Sequence, residues 1–265
     1  MSDFRCSGAS VEDAEPIIGT APTDTDYLLV EAPGPWGRDA IVENRLPEVV
    51  RDHLGTLGLK VLLVRTYDGG SGPGTRVFRA RLASAGGSFE VTTTVLERAE
   101  DLVGLDLAGL APYDGPLWLV CTNGKRDRCC AEIGRPIAGL LDARWPGATW
   151  ETTHLGGHRF SGTLLALPSG LTLGRLDTVT AVGACEAVER GEVPPDVCRG
   201  RAGSSGVDQV RELHIVAGGD PDVEVIAAPG PVRRQSCGDL AVKPTTRFEI
   251  RASAGRGSQD GMSAD

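Results

Sequence analysis

Apolar residues in the first half of the chain form short runs and helical spacings in turn. The runs at 26–31 and 59–64 are typical of buried strands, and apolar residues recur at helical spacing between 46 and 57. Apolar and polar residues then alternate at 76–82 and 88–95, which predicts a β-hairpin with its turn at 85–87. Leucines at helical spacing around residues 102–110 predict a helix that closes this half.

The second half repeats this order of elements. An apolar run at 117–121 predicts a strand, and Ile133, Ile137, Leu140 and Leu141 mark the apolar face of a helix. A strand at 148–153, a hairpin at 162–176 and a helix at 181–188 follow. Strand, helix, strand, hairpin and helix is the thioredoxin order. The pattern therefore predicts a mixed α/β (α+β) fold of two tandem thioredoxin-like units packed together.

The expected division of the chain follows from this repeat. Residues 1–113 are predicted to form a first unit without a metal site, and residues 114–252 a second unit that carries one. Beyond residue 198 the patterns weaken: 210–216 fits a helix or a strand, 223–227 a strand, and 247–251 a last edge strand. Residues 253–265 consist of small, polar and charged residues, which predicts a disordered tail.

Composition limits the function classes. The 265 residues carry a formal charge of −9, which argues against a sequence-independent grip on nucleic acid or on an anionic membrane surface. No apolar run reaches the length of a membrane span. The first ten residues lack the regions of a signal peptide, and the odd number of cysteines, seven, fits reduced thiols or metal ligands. We therefore expect a soluble protein of the cytoplasm.

Candidate metal ligands lie in two stretches of the second half. Cys121 ends a predicted strand, and Cys130 follows after eight residues at the start of a predicted helix. His154 and His158 lie after the next strand, and the glycines between them resist helix formation. Two thiolates and two imidazoles are a complete set of ligands for zinc or for an iron–sulfur cluster. The chain has four histidines; the other two, His53 and His214, lie among apolar residues and are interpreted as structural.

The remaining cysteines leave one choice open. Cys129 is adjacent to Cys130, and since neighbouring side chains point in different directions, only one of the two is expected to reach a given metal. Cys185 lies on the apolar face of a predicted helix and is interpreted as a core residue. Three further cysteines are expected to be isolated thiols that do not bind a metal: Cys6, Cys198 and Cys237.

Two kinds of thiol site fit the spacing less well. Structural zinc sites usually bring their first two cysteines within two to four residues of each other, which the gap between Cys121 and Cys130 does not match. A disulfide oxidoreductase would have Cys-x-x-Cys at the start of the helix, and this motif is absent there. Zinc remains the alternative metal.

These residues resemble the sucrase/ferredoxin-like family of thioredoxin-like ferredoxins. The motifs that carry the resemblance are Cys121-x8-Cys130 with Lys125-Arg126-Asp127 inside it, Thr153-His154-Leu155-Gly156-Gly157-His158-Arg159-Phe160-Ser161-Gly162, Gly19-Thr20-Ala21-Pro22 and the stretch from Leu28 to Gly37. The resemblance extends to about Ile250. Two positions depart from it: Asn123 stands where many relatives carry histidine, and Cys129 is an extra thiol.

The resemblance implies a 2Fe–2S cluster held by Cys121, Cys130, His154 and His158. The expected function is electron transfer or redox sensing with an unidentified redox partner protein, and the cations at 125, 126 and 128 suit an acidic partner. No catalytic residue is predicted, since no pair of carboxylates can be singled out as glycosidase machinery. The alternative is a zinc-stabilised or metal-free thioredoxin-like binding module without redox activity.

Overall fold

The structure, a computed structural model, describes residues 4–69, 72–83 and 87–252. The predicted disordered tail and most of the predicted turn at 85–87 lie outside these residues. The helices are α1 (Cys6–Glu12), α2 (Glu48–Thr56), α3 (Arg128–Arg144), α4 (Ala181–Glu189) and α5 (Gly206–Val216), with 3₁₀ segments at Ala99–Gly104 and His158–Phe160. In this part of the chain, no helix has both the length and the apolar character needed to cross a bilayer.

The first five strands are β1 (Asp26–Glu31), β2 (Lys60–Arg65), β3 (Thr75–Leu82), β4 (Phe89–Leu96) and β5 (Ala111–Pro112). The next five are β6 (Leu117–Cys121), β7 (Thr149–Thr152), β8 (Leu164–Leu167), β9 (Leu171–Leu173) and β10 (Cys198–Arg201). These ten strands form one curled sheet with the order β10-β9-β8-β6-β7-β2-β1-β3-β4-β5. β11 (Val223–Arg234) and β12 (Val242–Ala252) form a separate antiparallel ribbon.

The predicted mixed α/β fold is confirmed. β1 pairs with β2, and β6 with β7, in parallel, whereas the other pairs among the described strands are antiparallel. The order β2-β1-β3-β4 in the first half recurs as β7-β6-β8-β9 in the second. The halves join where β2 pairs with β7, so they share one sheet, and the division into two tandem units stays a prediction.

Alternation along the central strands explains how the sheet is covered. In β6, Leu117, Leu119 and Cys121 face a core shared by both halves, whereas Trp118 and Val120 pack under α3 and α4. In β1 the same alternation places one set of side chains in the shared core and the other under α2. Each leucine that is fully buried in this way stabilises the fold by roughly 1.5–3 kcal/mol.

Several elements differ from the sequence-based expectations. The helix predicted around 102–110 is a short 3₁₀ segment, Ala99–Gly104, followed by the small strand β5. The stretch 210–216 is helical, as part of α5, and the strand expected at 247–251 belongs to the longer β12. α1 and β10 were not predicted, because they are short and mix buried with polar positions.

The segment that precedes β1 packs against the second half. Arg175 donates from Nη2 to the backbone oxygens of Ser10, at 3.1 Å, and Glu15, at 2.6 Å. Arg159 pairs with the Glu15 carboxylate at 2.8 Å. α1 therefore lies beside the predicted metal site, although the sequence division assigned it to the first unit.

The buried side chain of Arg199 in β10 links three segments through hydrogen bonds. Its guanidinium donates to the hydroxyl of Thr20 at 3.1 Å, to the backbone oxygen of Thr20, and to the backbone oxygen of Gly156 at 3.1 Å. The side chain also lies over the ring of Phe160. Burial lowers the pKa of Arg199 to about 10, so the side chain still carries its charge at neutral pH.

Replacement of Arg199 by alanine should lower the free energy of unfolding by about 3 kcal/mol, because the backbone oxygens of Thr20 and Gly156 and the hydroxyl of Thr20 lose the donor that the buried guanidinium supplies. Arg190→Ala is the matched control: Arg190 is exposed and pairs with the equally exposed Glu192, so its loss should cost less than about 0.5 kcal/mol. Urea unfolding of both variants measures the difference. If both variants lower the free energy of unfolding by the same small amount, the hydrogen bonds of Arg199 do not stabilise the fold as expected.

Candidate metal centre

The start of α3 meets the carboxyl ends of two parallel strands. Cys121 is the last residue of β6 and pairs with Thr152 at the end of β7. Asp127 caps α3 by accepting a hydrogen bond from the backbone N–H of Cys129 at 3.1 Å, which places Cys130 in the first helical turn. A Cβ atom at Gly134 would lie 2.2 Å from the backbone oxygen of Cys121. Glycine at this position therefore allows α3 to approach β6 closely at the thiols.

The two histidines come from the loop that follows β7. Gly156 and Gly157 between them have φ angles of +84° and +68°, a left-handed backbone that favours glycine. The loop then turns into the 3₁₀ segment that begins at His158. It brings the rings together: Nδ1 of His158 lies 3.2 Å from Nε2 of His154.

Three of the four predicted ligands form one compact group. The ligand atoms of Cys121, Cys130 and His154 all lie within 4.8 Å of one another. Both cysteines are buried, with 1% of their surface exposed. His158 stands against this group through its contact with His154, and its Nε2 faces the Asp127 carboxylate at 3.8 Å. The structure thus brings Cys130 to Cys121 and directs Cys129 elsewhere.

The two thiols of this group differ in their affinity for protons. The pKa of Cys121 lies well below the usual range, chiefly because the Cys130 thiol stabilises its thiolate, and His154 adds to this effect. The pKa of Cys130 is raised, first by its interaction with Cys121 and then by burial. Burial, together with His154, lowers the pKa of His158 to about 4. The shifts at Cys121 and His158 thus favour a thiolate and a neutral imidazole, which are the forms that bind metals.

The residues present fit a 2Fe–2S cluster by their chemistry. The Nδ1 atom of His154 is buried without a hydrogen-bond partner among the described residues, which is unusual for a polar atom with no ligand. His158 has a carboxylate near one ring nitrogen, the arrangement that commonly orients a metal-binding imidazole, and its other nitrogen adjoins His154. A cluster of two irons also needs more widely spread ligands than a single ion, so His158 need not lie within the compact group.

A protein-family model matches the part of the chain that contains the candidate site. The sucrase/ferredoxin-like family matches residues 17–200, more than half of the 265-residue chain. The chain belongs to the sucrase/ferredoxin-like family. The part that matches this family contains all four predicted ligands and ends well before Ile250, where the sequence resemblance was expected to end. Comparison with curated proteins and with solved structures finds no match.

In this family member, a water-accessible cavity of about 440 Å³ adjoins the histidine side of the site. His154 and Asn123 line it, and Asn123 donates to the backbone oxygen of Gly37 at 3.3 Å. Arg38, Lys60 and Arg126 also line the cavity, with the acidic Asp39 and Glu43 among them. The cavity thus gives solvent access to His154, and cations outnumber acids on its walls.

The other cysteines correct one expectation. Cys6 and Cys237 were expected to stand alone, but the structure groups them with Cys129 and Asp127, all four ligand atoms lying within 4.8 Å of one another. Sequence reasoning missed this second group because its members come from three remote segments; an odd cysteine count and an unused neighbour of Cys130 were the available signals. Two further thiols, Cys185 and Cys198, are buried and belong to neither group.

His53 and His214 are placed apart from both groups. His53 lies in the last turn of α2 and His214 in the last turn of α5. Neither belongs to a metal-compatible group among the residues that the structure describes. They therefore serve as controls for experiments on the paired histidines.

Proposed function

We propose that the protein carries a 2Fe–2S cluster on Cys121, Cys130, His154 and His158 and acts in electron transfer or redox sensing. The observation that supports this most is the meeting of two buried thiols with the paired imidazoles in a member of the sucrase/ferredoxin-like family. Such a cluster supplies one-electron chemistry when bound. Neutral imidazoles in place of two thiolates make the site less negative, which raises the reduction potential relative to an all-cysteine ferredoxin.

The surroundings divide the site into a shielded and an accessible side. Cys121 and Cys130 are buried in the shared core, which excludes water from their side. His154 adjoins the cavity, so electrons would enter or leave on the histidine side. The cations Arg38, Lys60 and Arg126 near this opening suit an acidic face of a redox partner protein. The formal charge of −9 argues against a nucleic acid or an anionic membrane surface as this partner.

A second function rests on the compactness of the group. Three ligand atoms within 4.8 Å of one another also suit a single tetrahedral ion, with His158 as the fourth ligand. In that case zinc would stabilise a thioredoxin-like binding module without redox activity. The two proposals place different metals on the same residues.

Protein purified without oxygen should be coloured and should contain about two irons and two acid-labile sulfides per chain, as a 2Fe–2S cluster requires. Visible absorption and chemical assays measure both quantities. If the cluster is lost during purification, reconstitution with iron and sulfide should restore it. A folded protein that stays colourless and iron-free after reconstitution would overturn the ferredoxin proposal, and zinc at the same residues would then support the alternative.

A further inference from the structure

A second group of ligand atoms lies at the N-terminus of α3, beside the first. Cys6 comes from α1, Cys129 from the first turn of α3, and Cys237 from the loop between β11 and β12. Asp127, the cap of α3, completes the group, in which all ligand atoms lie within 4.8 Å of one another. Cys6 and Cys237 lie outside the part of the chain that matches the family, so that match does not account for this group.

The sulfur atoms have the spacing of metal-bound thiolates. Sγ of Cys237 lies 3.3 Å from Sγ of Cys129 and 3.6 Å from Sγ of Cys6. A tetrahedral zinc ion with Zn–S bonds of about 2.3 Å holds its sulfurs about 3.8 Å apart. A disulfide would need about 2.05 Å between sulfurs, so neither pair is a disulfide. Two of the three sulfur–sulfur distances are therefore close to the spacing that zinc requires, and the third, between Cys6 and Cys129, is within 4.8 Å.

The neighbouring groups suit negatively charged sulfur. The hydroxyl of Ser7 lies 3.2 Å from Sγ of Cys129 in donating geometry, and the backbone N–H of Cys6 donates to Sγ of Cys237 at 3.3 Å. A protonated thiol is a weak acceptor, whereas a thiolate accepts such hydrogen bonds well. Cys129 also lies in the first turn of α3, where the helix dipole stabilises negative charge.

The Asp127 carboxylate is held in place for the fourth position. One oxygen accepts hydrogen bonds from the Ser236 hydroxyl at 2.9 Å and the backbone N–H of Cys237 at 2.8 Å. The other accepts from the backbone N–H of Cys129 at 3.1 Å and lies 3.5 Å from Sγ of Cys6. The carboxylate therefore lies at the junction of all three cysteine segments, with an oxygen directed to the sulfurs.

We infer that Cys6, Cys129, Cys237 and Asp127 form a second metal site, which binds a structural zinc ion. Soft thiolates favour zinc over hard cations, and four protein ligands leave no open position, as in structural sites. The ion would tie α1 and the β11–β12 loop to the start of α3. This inference does not depend on a cluster at the first site, because the two groups share no ligand.

The test measures zinc in the full-length chain, purified without oxygen and then exposed to a weak chelator. In a Cys121→Ser/Cys130→Ser background, which lacks the first pair of thiols, about one zinc per chain should remain. Adding Cys6→Ser or Cys237→Ser should reduce it at least about tenfold, since a structural site needs its full set of ligands. Cys185→Ser and Cys198→Ser, which alter buried thiols outside both groups, should leave the zinc content unchanged.

A second measurement covers the case in which the background variant does not fold. In the otherwise unchanged chain, Cys6→Ser should abolish the zinc while any visible absorption from the first site persists. Zinc lost with Cys6 in a protein that binds no iron would support the second site and contradict the first. Any of three results would overturn the second site: zinc that survives both Cys6→Ser and Cys237→Ser, the absence of zinc from the folded unchanged chain, or a Cys129–Cys237 disulfide found in place of the zinc by peptide mapping.

Discussion

Cys130→Ser is expected to abolish nearly all visible absorption of the anaerobically purified protein, whereas Cys129→Ser retains most of it. The reason is the direction of the two side chains in the first turn of α3. Cys130 lies in the group with Cys121 and His154, and Cys129 lies in the group with Cys6 and Cys237. Loss of a thiolate leaves one iron short of a ligand, which makes the cluster labile.

The two variants control for each other. Both residues are 1% exposed and adjacent in the same helical turn, so a serine hydroxyl is buried at similar cost in each. Absorption and iron content per folded chain, with folding checked by circular dichroism, are the measurements. If Cys129→Ser removes the colour and Cys130→Ser keeps it, the ligand is the other cysteine, and the arrangement of both groups is wrong.

His154→Cys or His158→Cys should keep a cluster but lower its reduction potential by on the order of 100 mV, because a thiolate adds negative charge that an imidazole does not. The potential of the unchanged protein should fall as pH rises. Reduction makes the cluster more negative and raises the pKa of an imidazole ligand, so the reduced state binds a proton that the oxidised state does not. The limiting slope for one proton per electron is about 59 mV per pH unit.

Redox titration followed by absorbance between about pH 6 and 9, a window chosen around the ordinary titration range of histidine, measures both effects. The cysteine variants should show a flatter dependence on pH, since one proton-binding ligand is gone. His154→Ala and His158→Ala should instead make the cluster labile. His53→Ala and His214→Ala, in α2 and α5, should change neither spectrum nor potential. If alanine at both His154 and His158 leaves the spectrum unchanged, these histidines are not ligands.

Much of the fold could be predicted because its strands carry local signals. Apolar runs and alternation around β1–β4 and β6–β9 predicted strands close to their observed places. Local sequence patterns did not predict elements whose buried side chains are held by polar contacts. Arg199 is buried in β10 through hydrogen bonds to Thr20 and Gly156, and no hydrophobic period marks such a strand. α1 is short and its buried positions contact the second half, which local sequence does not indicate.

The candidate site was predicted in part. Cys121 and Cys130 lie at a strand end and a helix start, and such ends meet at one edge of parallel strands, so their proximity followed from the order of elements. His158 was identified from its spacing to His154, but its contact with the Asp127 region depends on how the glycine-containing loop turns. The ligand set itself remains a proposal.

The sequence by itself determined the mixed α/β class and most of the strands, and it predicted the residues proposed as ligands, because periodicity and spacing are local properties of the chain. Only the tertiary structure placed Cys130 beside Cys121 and Cys129 away from it, since their directions depend on how α3 packs against β6 across Gly134. It alone also brought Cys6 and Cys237 to Cys129. Contacts between segments more than a hundred residues apart depend on packing of the whole chain, and no local pattern records them.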